Sequence, residues 1–102
     1  MNIPIACSLA EPAARAQLEE WRDLLAETAI STTRVSPSEL AFRLRDDLPQ
    51  LNAVVRLAQR EKVCCPFFDF AIQIESDAVS LRISVPDDAV SVLDEFAGVG
   101  RV

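Results

Sequence analysis

The chain has 102 residues, half of them apolar, with 16 acidic and 10 basic side chains and a net charge of −6. This length supports one domain with one hydrophobic core, and we expect residues 1–102 to form it, with loose ends at 1–2 and 99–102. The negative charge argues against nucleic acid as a partner, because binding phosphates requires clustered Lys and Arg. It argues equally against an anionic membrane surface.

A strand followed by a helix is predicted at the start of the chain. Apolar residues alternate with others over residues 3–9, so they share one face of a short strand, and Cys7 points to the core with them. The helix begins between Ser8 and Pro12, where the missing N–H of proline costs nothing, and it runs to about Ala29. Its apolar stripe should face the core. The stripe consists of Ala14, Leu18, Trp21 and Leu25.

A hairpin and a second helix follow. Residues 30–35 are rich in β-branched side chains and residues 40–45 alternate between apolar and polar, which predicts two antiparallel strands joined by a Ser-Pro-Ser turn. The second helix starts at residues 46–49, where an aspartate precedes a proline. It ends at about Cys64, because Pro66 disfavours helical geometry at the residue before it. The predicted apolar stripe contains Leu51, Val54, Val55 and Ala58 and continues near Lys62 and Cys65. The residues expected to face solvent are Arg56, Gln59, Arg60 and Glu61.

The last third of the chain predicts a second hairpin and a short helix. Alternation with a period of two covers residues 70–75 and 79–85, and Asp87 or Asp88 caps a helix that ends near Gly98. The predicted order is therefore β-α-β-β-α-β-β-α. A two-layer α+β fold satisfies this order, with one mixed or antiparallel sheet and the helices on one face of it. The other face, rich in Arg and Ser, is then wet or serves as a homodimer surface.

The chemistry open to this chain is restricted by its three cysteines and by the absence of histidine. Without imidazole there is no Cys-His pair and no zinc site of mixed nitrogen and sulfur ligands. No apolar run reaches the roughly 18 residues of a membrane span, and the N-terminus lacks the pattern of a signal peptide. We therefore expect a cytoplasmic protein, where thiols stay reduced. An odd number of cysteines also fits no secreted disulfide framework.

The adjacent residues Cys64 and Cys65, together with Cys7, are the candidate site. Neighbouring residues of a helix point about 100° apart, so both thiols reach one point only where the helix unwinds, and Pro66 favours unwinding there. Sulfur ligands without nitrogen suit soft ions such as Hg(II), As(III), Cu(I) and Cd(II). Zinc fits less well because it prefers four ligands. The phenylalanines within residues 67–70 are expected to pack in the core.

Alternatives to metal binding remain open for these residues. Buried cysteines pack as small hydrophobic side chains, which would make the protein a structural or interaction domain. In a redox role, a bond between Cys64 and Cys65 would join Cα atoms about 3.8 Å apart, below the usual range of about 4.4–6.8 Å, and pairing with Cys7 is easier. A thiol-based enzyme that cleaves organomercurials would need a proton carrier, and Asp69 is a candidate for it or for a turn cap. Glu61 or Asp69 could also add an oxygen ligand, and the sequence does not distinguish the two.

Two motifs and the helix between them resemble a known group of proteins. The motifs are Ile-Ala-Cys-Ser-Leu at residues 5–9 and Cys-Cys-Pro-Phe at residues 64–67, and the helix carries Trp21. Together they are similar to small bacterial proteins that occur beside, or fused to, mercury-responsive (MerR-type) regulators of heavy-metal resistance. The resemblance spans roughly residues 3–97 and includes all three cysteines. It implies a metal-resistance context rather than a reaction, and nothing in the chain resembles the DNA-binding helix-turn-helix of those regulators.

We therefore expect a cytoplasmic module that binds a soft metal ion, Hg(II) or As(III) foremost, through Cys7, Cys64 and Cys65. Such an ion, with Cu(I) as a further candidate, is the only cofactor that the sequence suggests. The expected partners are the ion and a second copy of the chain, not nucleic acid and not a membrane. Whether the protein turns over a substrate is left open.

Overall fold

The computed structural model of the protein describes residues 11–97. The strand predicted over residues 3–9, which carries Cys7, lies outside the described residues, as do the predicted helix end at Gly98 and both loose ends. The elements in chain order are helix α1 (Glu11–Thr28), strands β1 (Ala29–Ser36) and β2 (Glu39–Leu44), helix α2 (Leu48–Cys64), strands β3 (Asp69–Ile74) and β4 (Val79–Ser84), a single 3-10 turn (Asp87–Ala89) and helix α3 (Val90–Ala97). The α+β prediction is confirmed, and each described element lies within a few residues of its predicted place.

The four strands form one antiparallel sheet in the order β1-β2-β4-β3. The two hairpins meet through β2 and β4, where Phe42 lies opposite Leu81, and Leu81 lies opposite Ile72 of β3. Because side chains alternate along a strand, opposing residues share a face, and these three point to the same side. Strand β1 is an edge strand, and its register with β2 is irregular at both ends. The sheet is thus antiparallel throughout the described part of the chain.

The helices cover the apolar face of this sheet, and Trp21 of α1 lies at the centre of the packing. Its side chain is fully buried. The indole ring stacks on Phe70 of β3 and meets Phe96 of α3 edge-on, each at a centroid distance of 5.7 Å. These are favourable geometries for aromatic pairs, so the predicted anchor of the first helix joins a strand and the last helix. The same core cluster contains Leu25, Leu40, Phe42, Val54, Leu81, Ile83 and Leu93.

The opposite face of the sheet is polar, as the alternation with Arg and Ser predicts. Arg43 and Arg82 are exposed there, and Arg82 Nη1 forms an ion pair with Glu39 Oε2 at 2.7 Å across the paired strands β2 and β4. Water can solvate this face without any partner. Its use as a homodimer surface stays a prediction.

The buried stripe of α2 differs from the predicted one. Val54, Ala58 and Glu61 are its buried residues, and the stripe continues to Cys65 beyond the helix end. Val55, expected in the stripe, is 41% exposed. With about 100° per residue, Glu61 lies only about 20° around the helix from Val54, so it is central to the inward face. The prediction that Glu61 faces solvent is therefore wrong: its polarity suggested the surface, but its position in the helix places it inside.

Candidate functional site

The Cys64-Cys65 pair lies where α2 ends. Cys64 is the last helical residue and Cys65 is the C-cap, with φ −134° and ψ 82°, so the chain leaves helical geometry at Cys65 as the following Pro66 predicts. The N–H of Cys65 still donates to the carbonyl of Glu61 at 2.6 Å. The side chain of Cys65 is buried and that of Cys64 is half-buried. The two sulfurs therefore start from backbones of different geometry.

The turn after the pair is held by aromatic side chains. The N–H of Phe68 donates to the carbonyl of Cys65 at 3.2 Å. The Phe68 side chain is buried, with its ring centroid 4.8 Å from that of Phe67 and 5.7 Å from that of Phe96. This packing ties Cys65 to the core on one side and to α3 on the other. The predicted role of the phenylalanines as core residues is confirmed for Phe68, while Phe67 and Phe70 are half-buried.

The two cysteines differ in oxidation state. Cys65 is disulfide-bonded, whereas Cys64 keeps its thiol. The strained bond between the two neighbours is therefore not formed. A thiolate site that uses both cysteines consequently requires the reduced form of the protein.

Helix α1 brings an amide group to Cys64. Gln17 Nε2 donates to Cys64 Sγ at 3.9 Å, and Gln17 Oε1 is buried without a hydrogen-bond partner. Further along the two helices Arg60 meets Glu20 at 2.6 Å. Later residues of α1 thus contact earlier residues of α2, so the two helices run antiparallel. Their interface therefore places a polar side chain of α1 beside the thiol.

A buried carboxyl group lies one turn before the pair. Glu61 is 6% exposed, and its Oε2 has no hydrogen-bond partner. Burial raises the pKa of this carboxyl above the ordinary 4.5, while Trp21 and Arg60 lower it and Glu20 raises it further. The indole N–H of Trp21 lowers this pKa as a nearby donor, although Nε1 is buried without a hydrogen bond of normal geometry. Arg60 Nη2 is 4.0 Å from Glu61 Oε2, at the outer limit of an ion pair.

These groups define a buried polar seam between α1 and α2, formed by Gln17, Trp21, Glu61 and Cys64. Residues three and four apart share one face of a helix, so Gln17 and Trp21 line one side of the seam and Glu61 and Cys64 line the other. Three of its polar atoms are buried without a hydrogen bond. Such atoms are few in native proteins, because each costs about 1–3 kcal/mol of desolvation. The seam therefore contains polar groups whose desolvation is not offset by hydrogen bonds within the described structure.

The predicted site residues differ in their position and in their exposure to solvent. Cys64 and Cys65 are adjacent at the helix end, whereas Cys7 lies outside the described residues. Asp69 is an exposed residue at the start of β3, opposite Ser84, while Glu61 is buried. The two candidate carboxylates that the sequence left equivalent are thereby distinguished. Within residues 11–97, no three His, Cys, Asp or Glu side chains form a group that could hold a metal ion.

Sequence reasoning missed Gln17 and the burial of Glu61. A signal for Glu61 was present, since it precedes Cys64 and Cys65 by three and four residues, the spacing of one helical face. Gln17 carried no such signal, because only the packing of α1 on α2 brings its amide to the thiol.

Comparison with known proteins finds no relative from which this site could be identified. No family model matches the sequence, and no curated protein or solved structure is significantly similar to it. The described helices also include none that is long and apolar enough to span a membrane.

Proposed function

We propose that the protein is a binding module for soft metal ions, Hg(II) or As(III) foremost, which it takes through thiolates of Cys64 and Cys65 with Cys7 as a third sulfur. The observation that supports this proposal best is the position of the adjacent pair. One cysteine ends the helix and the next has left it, so the two side chains need not point about 100° apart as they would within a helix. Two thiolates on a short rigid segment are strong ligands for soft ions.

The surroundings of the pair favour retention of a bound ion. Cys65 is buried and Cys64 is half-buried between α1 and the turn, so an ion held there would be largely shielded from water and competing ligands. Thiolates rather than thiols are the ligands, and the amide of Gln17 is placed to donate to the Cys64 sulfur. The proposal includes a cytoplasmic location, because reduced thiols persist there, and a metal-resistance context, which follows only from the family resemblance.

The test is a titration of the phosphine-reduced full chain with Hg(II) and, separately, with arsenite, followed by ultraviolet sulfur-to-metal charge transfer and by native mass spectrometry. We expect saturable binding of one ion per chain, lost in a Cys64→Ser, Cys65→Ser double variant. Ser80→Ala, on the far face of the sheet, is the matched control and should bind as the wild type does. If the double variant saturates with the same signal as the wild type, the proposal is wrong.

Two other functions predict different results when the same reduced protein is tested. If alkylating reagents modify none of the cysteines in the native reduced protein, and metal leaves its unfolding unchanged, the protein is a structural or interaction domain with packed cysteines. If an alkylmercury compound is turned over to hydrocarbon and Hg(II), it is a thiol-based enzyme. Stoichiometric binding without turnover supports the binding module.

A further inference from the structure

The buried carboxyl of Glu61 has no assigned task in binding an ion through sulfur alone. Its Oε2 is buried and makes no hydrogen bond, and the side chain is 8% exposed. The nearest cation, Arg60, is held instead by Glu20 at 2.6 Å and approaches Glu61 only to 4.0 Å. A buried acceptor that makes no hydrogen bond costs free energy of desolvation, unless a ligand supplies the donor.

The position of Glu61 relates this acceptor to the thiols. Residues three apart on a helix have Cβ atoms about 5–6 Å from each other, and Glu61 precedes Cys64 by three. The N–H of Cys65 donates to the Glu61 carbonyl, so both cysteines are anchored to the turn that carries Glu61. No three such groups within residues 11–97 converge on one point as direct ligands. The Glu61 side chain thus starts one helical turn before that of Cys64, without forming a three-ligand group with the two cysteines.

We propose that the ligand of this site is trivalent arsenic, bound by the sulfurs of Cys64 and Cys65, with its remaining hydroxyl group donating a hydrogen bond to the Glu61 carboxylate. This inference rests on the proposed function, since it uses Cys64 and Cys65. It selects one ion, and it assigns the third ligand position of arsenic to a hydroxyl group held by Glu61 instead of to the sulfur of Cys7. Arsenic(III) carries a lone pair, so its three ligands lie on one side, which suits two sulfurs from adjacent residues. Hg(II) prefers two sulfurs on opposite sides and brings no hydroxyl group.

The binding step is an exchange of ligands without oxidation or reduction. Arsenous acid, As(OH)₃, loses two As–O bonds and gains two As–S bonds. Each hydroxyl group leaves with a thiol proton as water, and one As–OH remains. The disulfide at Cys65 must first be reduced. A phosphine can serve as the reductant: it becomes the phosphine oxide and two thiols form, with one water supplying the oxygen and the two protons.

Two arsenicals separate the sulfur contacts from the Glu61 contact. Arsenite bound by two thiols keeps a hydroxyl group. Phenylarsine oxide bound by two thiols releases its oxygen as water and keeps only the phenyl group, so it offers Glu61 no donor. Dissociation constants for both compounds are measured on the phosphine-reduced full chain by calorimetry. The compared proteins are the wild type and the variants Glu61→Leu, Glu61→Gln, Cys7→Ser and Asp69→Asn.

We expect Glu61→Leu to weaken arsenite binding by about 10- to 100-fold, the usual effect of losing a hydrogen bond to a charged group, and to leave phenylarsine oxide binding unchanged. Glu61→Gln keeps an uncharged acceptor and should lose less. It also replaces the leucine variant as the test if that variant does not fold by circular dichroism. Asp69→Asn is the exposed carboxylate control, and it should match the wild type with both compounds.

The outcomes distinguish this inference from the proposed function. If phenylarsine oxide binds through Cys64 and Cys65 but arsenite binds equally to the wild type and both Glu61 variants, the role of Glu61 is refuted and the thiol site stands. If Cys7→Ser weakens arsenite binding as severely as the Cys64→Ser, Cys65→Ser double variant does, a third sulfur fills the hydroxyl position and the inference is likewise overturned. If neither arsenical nor Hg(II) binds the wild type, the proposed function fails with it.

Discussion

Replacement of Trp21 by alanine tests the packing that carries the whole fold. Trp21 is fully buried and its ring contacts Phe70 and Phe96. Large-to-small changes at buried Trp or Phe cost about 3–5 kcal/mol, because the removed surface and the residual cavity both count. A chain of 102 residues has a free energy of unfolding of about 5–15 kcal/mol. We therefore expect Trp21→Ala to remove roughly a fifth of the stability at least, and to lower Tm by about 15–30 °C.

The assay is urea denaturation of the reduced protein, followed by far-ultraviolet circular dichroism. Fluorescence cannot be used for the variant because Trp21 is the only tryptophan of the chain. Trp21→Phe keeps a ring and removes an indole N–H that makes no standard hydrogen bond, so its loss should be much smaller. Val63→Ala, at a helical position that is 79% exposed, is the control and should change stability by less than about 0.5 kcal/mol.

The reasoning is refuted by either of two results. One is a loss of less than about 2 kcal/mol for Trp21→Ala with an unchanged m-value, which would mean that the core closes around the missing ring. The other is a loss at Val63→Ala equal to that at Trp21→Ala, which would mean that burial does not rank these positions.

Two further predictions concern the seam and the sheet. Burial raises the pKa of Glu61 from 4.5, so the stabilising contribution of its proton is complete below pH 4.5 and is lost as pH rises through the folded-state pKa. Glu61→Gln should therefore gain stability relative to the wild type between pH 4 and pH 7, measured by urea denaturation of both proteins at each pH. A difference in stability that stays constant with pH would contradict a buried carboxyl with a raised pKa. In the sheet, Leu81→Ala should cost about 2–5 kcal/mol, because Leu81 is fully buried. Ile74→Ala, on the same face but on an edge strand and 74% exposed, should cost much less, and equal losses at the two positions would show that burial does not rank positions on this face of the sheet.

Most of the described fold follows from local patterns. Pro66 predicted the end of α2 at Cys64, and the helix ends there, because proline restricts the residue before it in any tertiary context. Strands β3 and β4 follow the alternation of apolar residues closely, since a sheet with one buried face requires that period. The order of the strands in the sheet, by contrast, does not follow from local patterns. The placement of β4 between β2 and β3 depends on contacts between hairpins far apart in sequence, which no local pattern reports.

The features of the candidate site are likewise divided between those that the sequence determines and those that tertiary packing determines. The sequence by itself determined that Cys64 and Cys65 adjoin at a helix end, that no imidazole competes with sulfur, and that a carboxylate lies one turn away. Only the tertiary structure decided that Glu61 is buried and Asp69 exposed, because burial of a helical residue depends on what packs against its face. It also decided that Gln17 meets Cys64, since that contact requires α1 to lie antiparallel along α2. Residue types and spacings follow from the chain, whereas solvent access and cross-helix contacts exist only after the helices pack on the sheet.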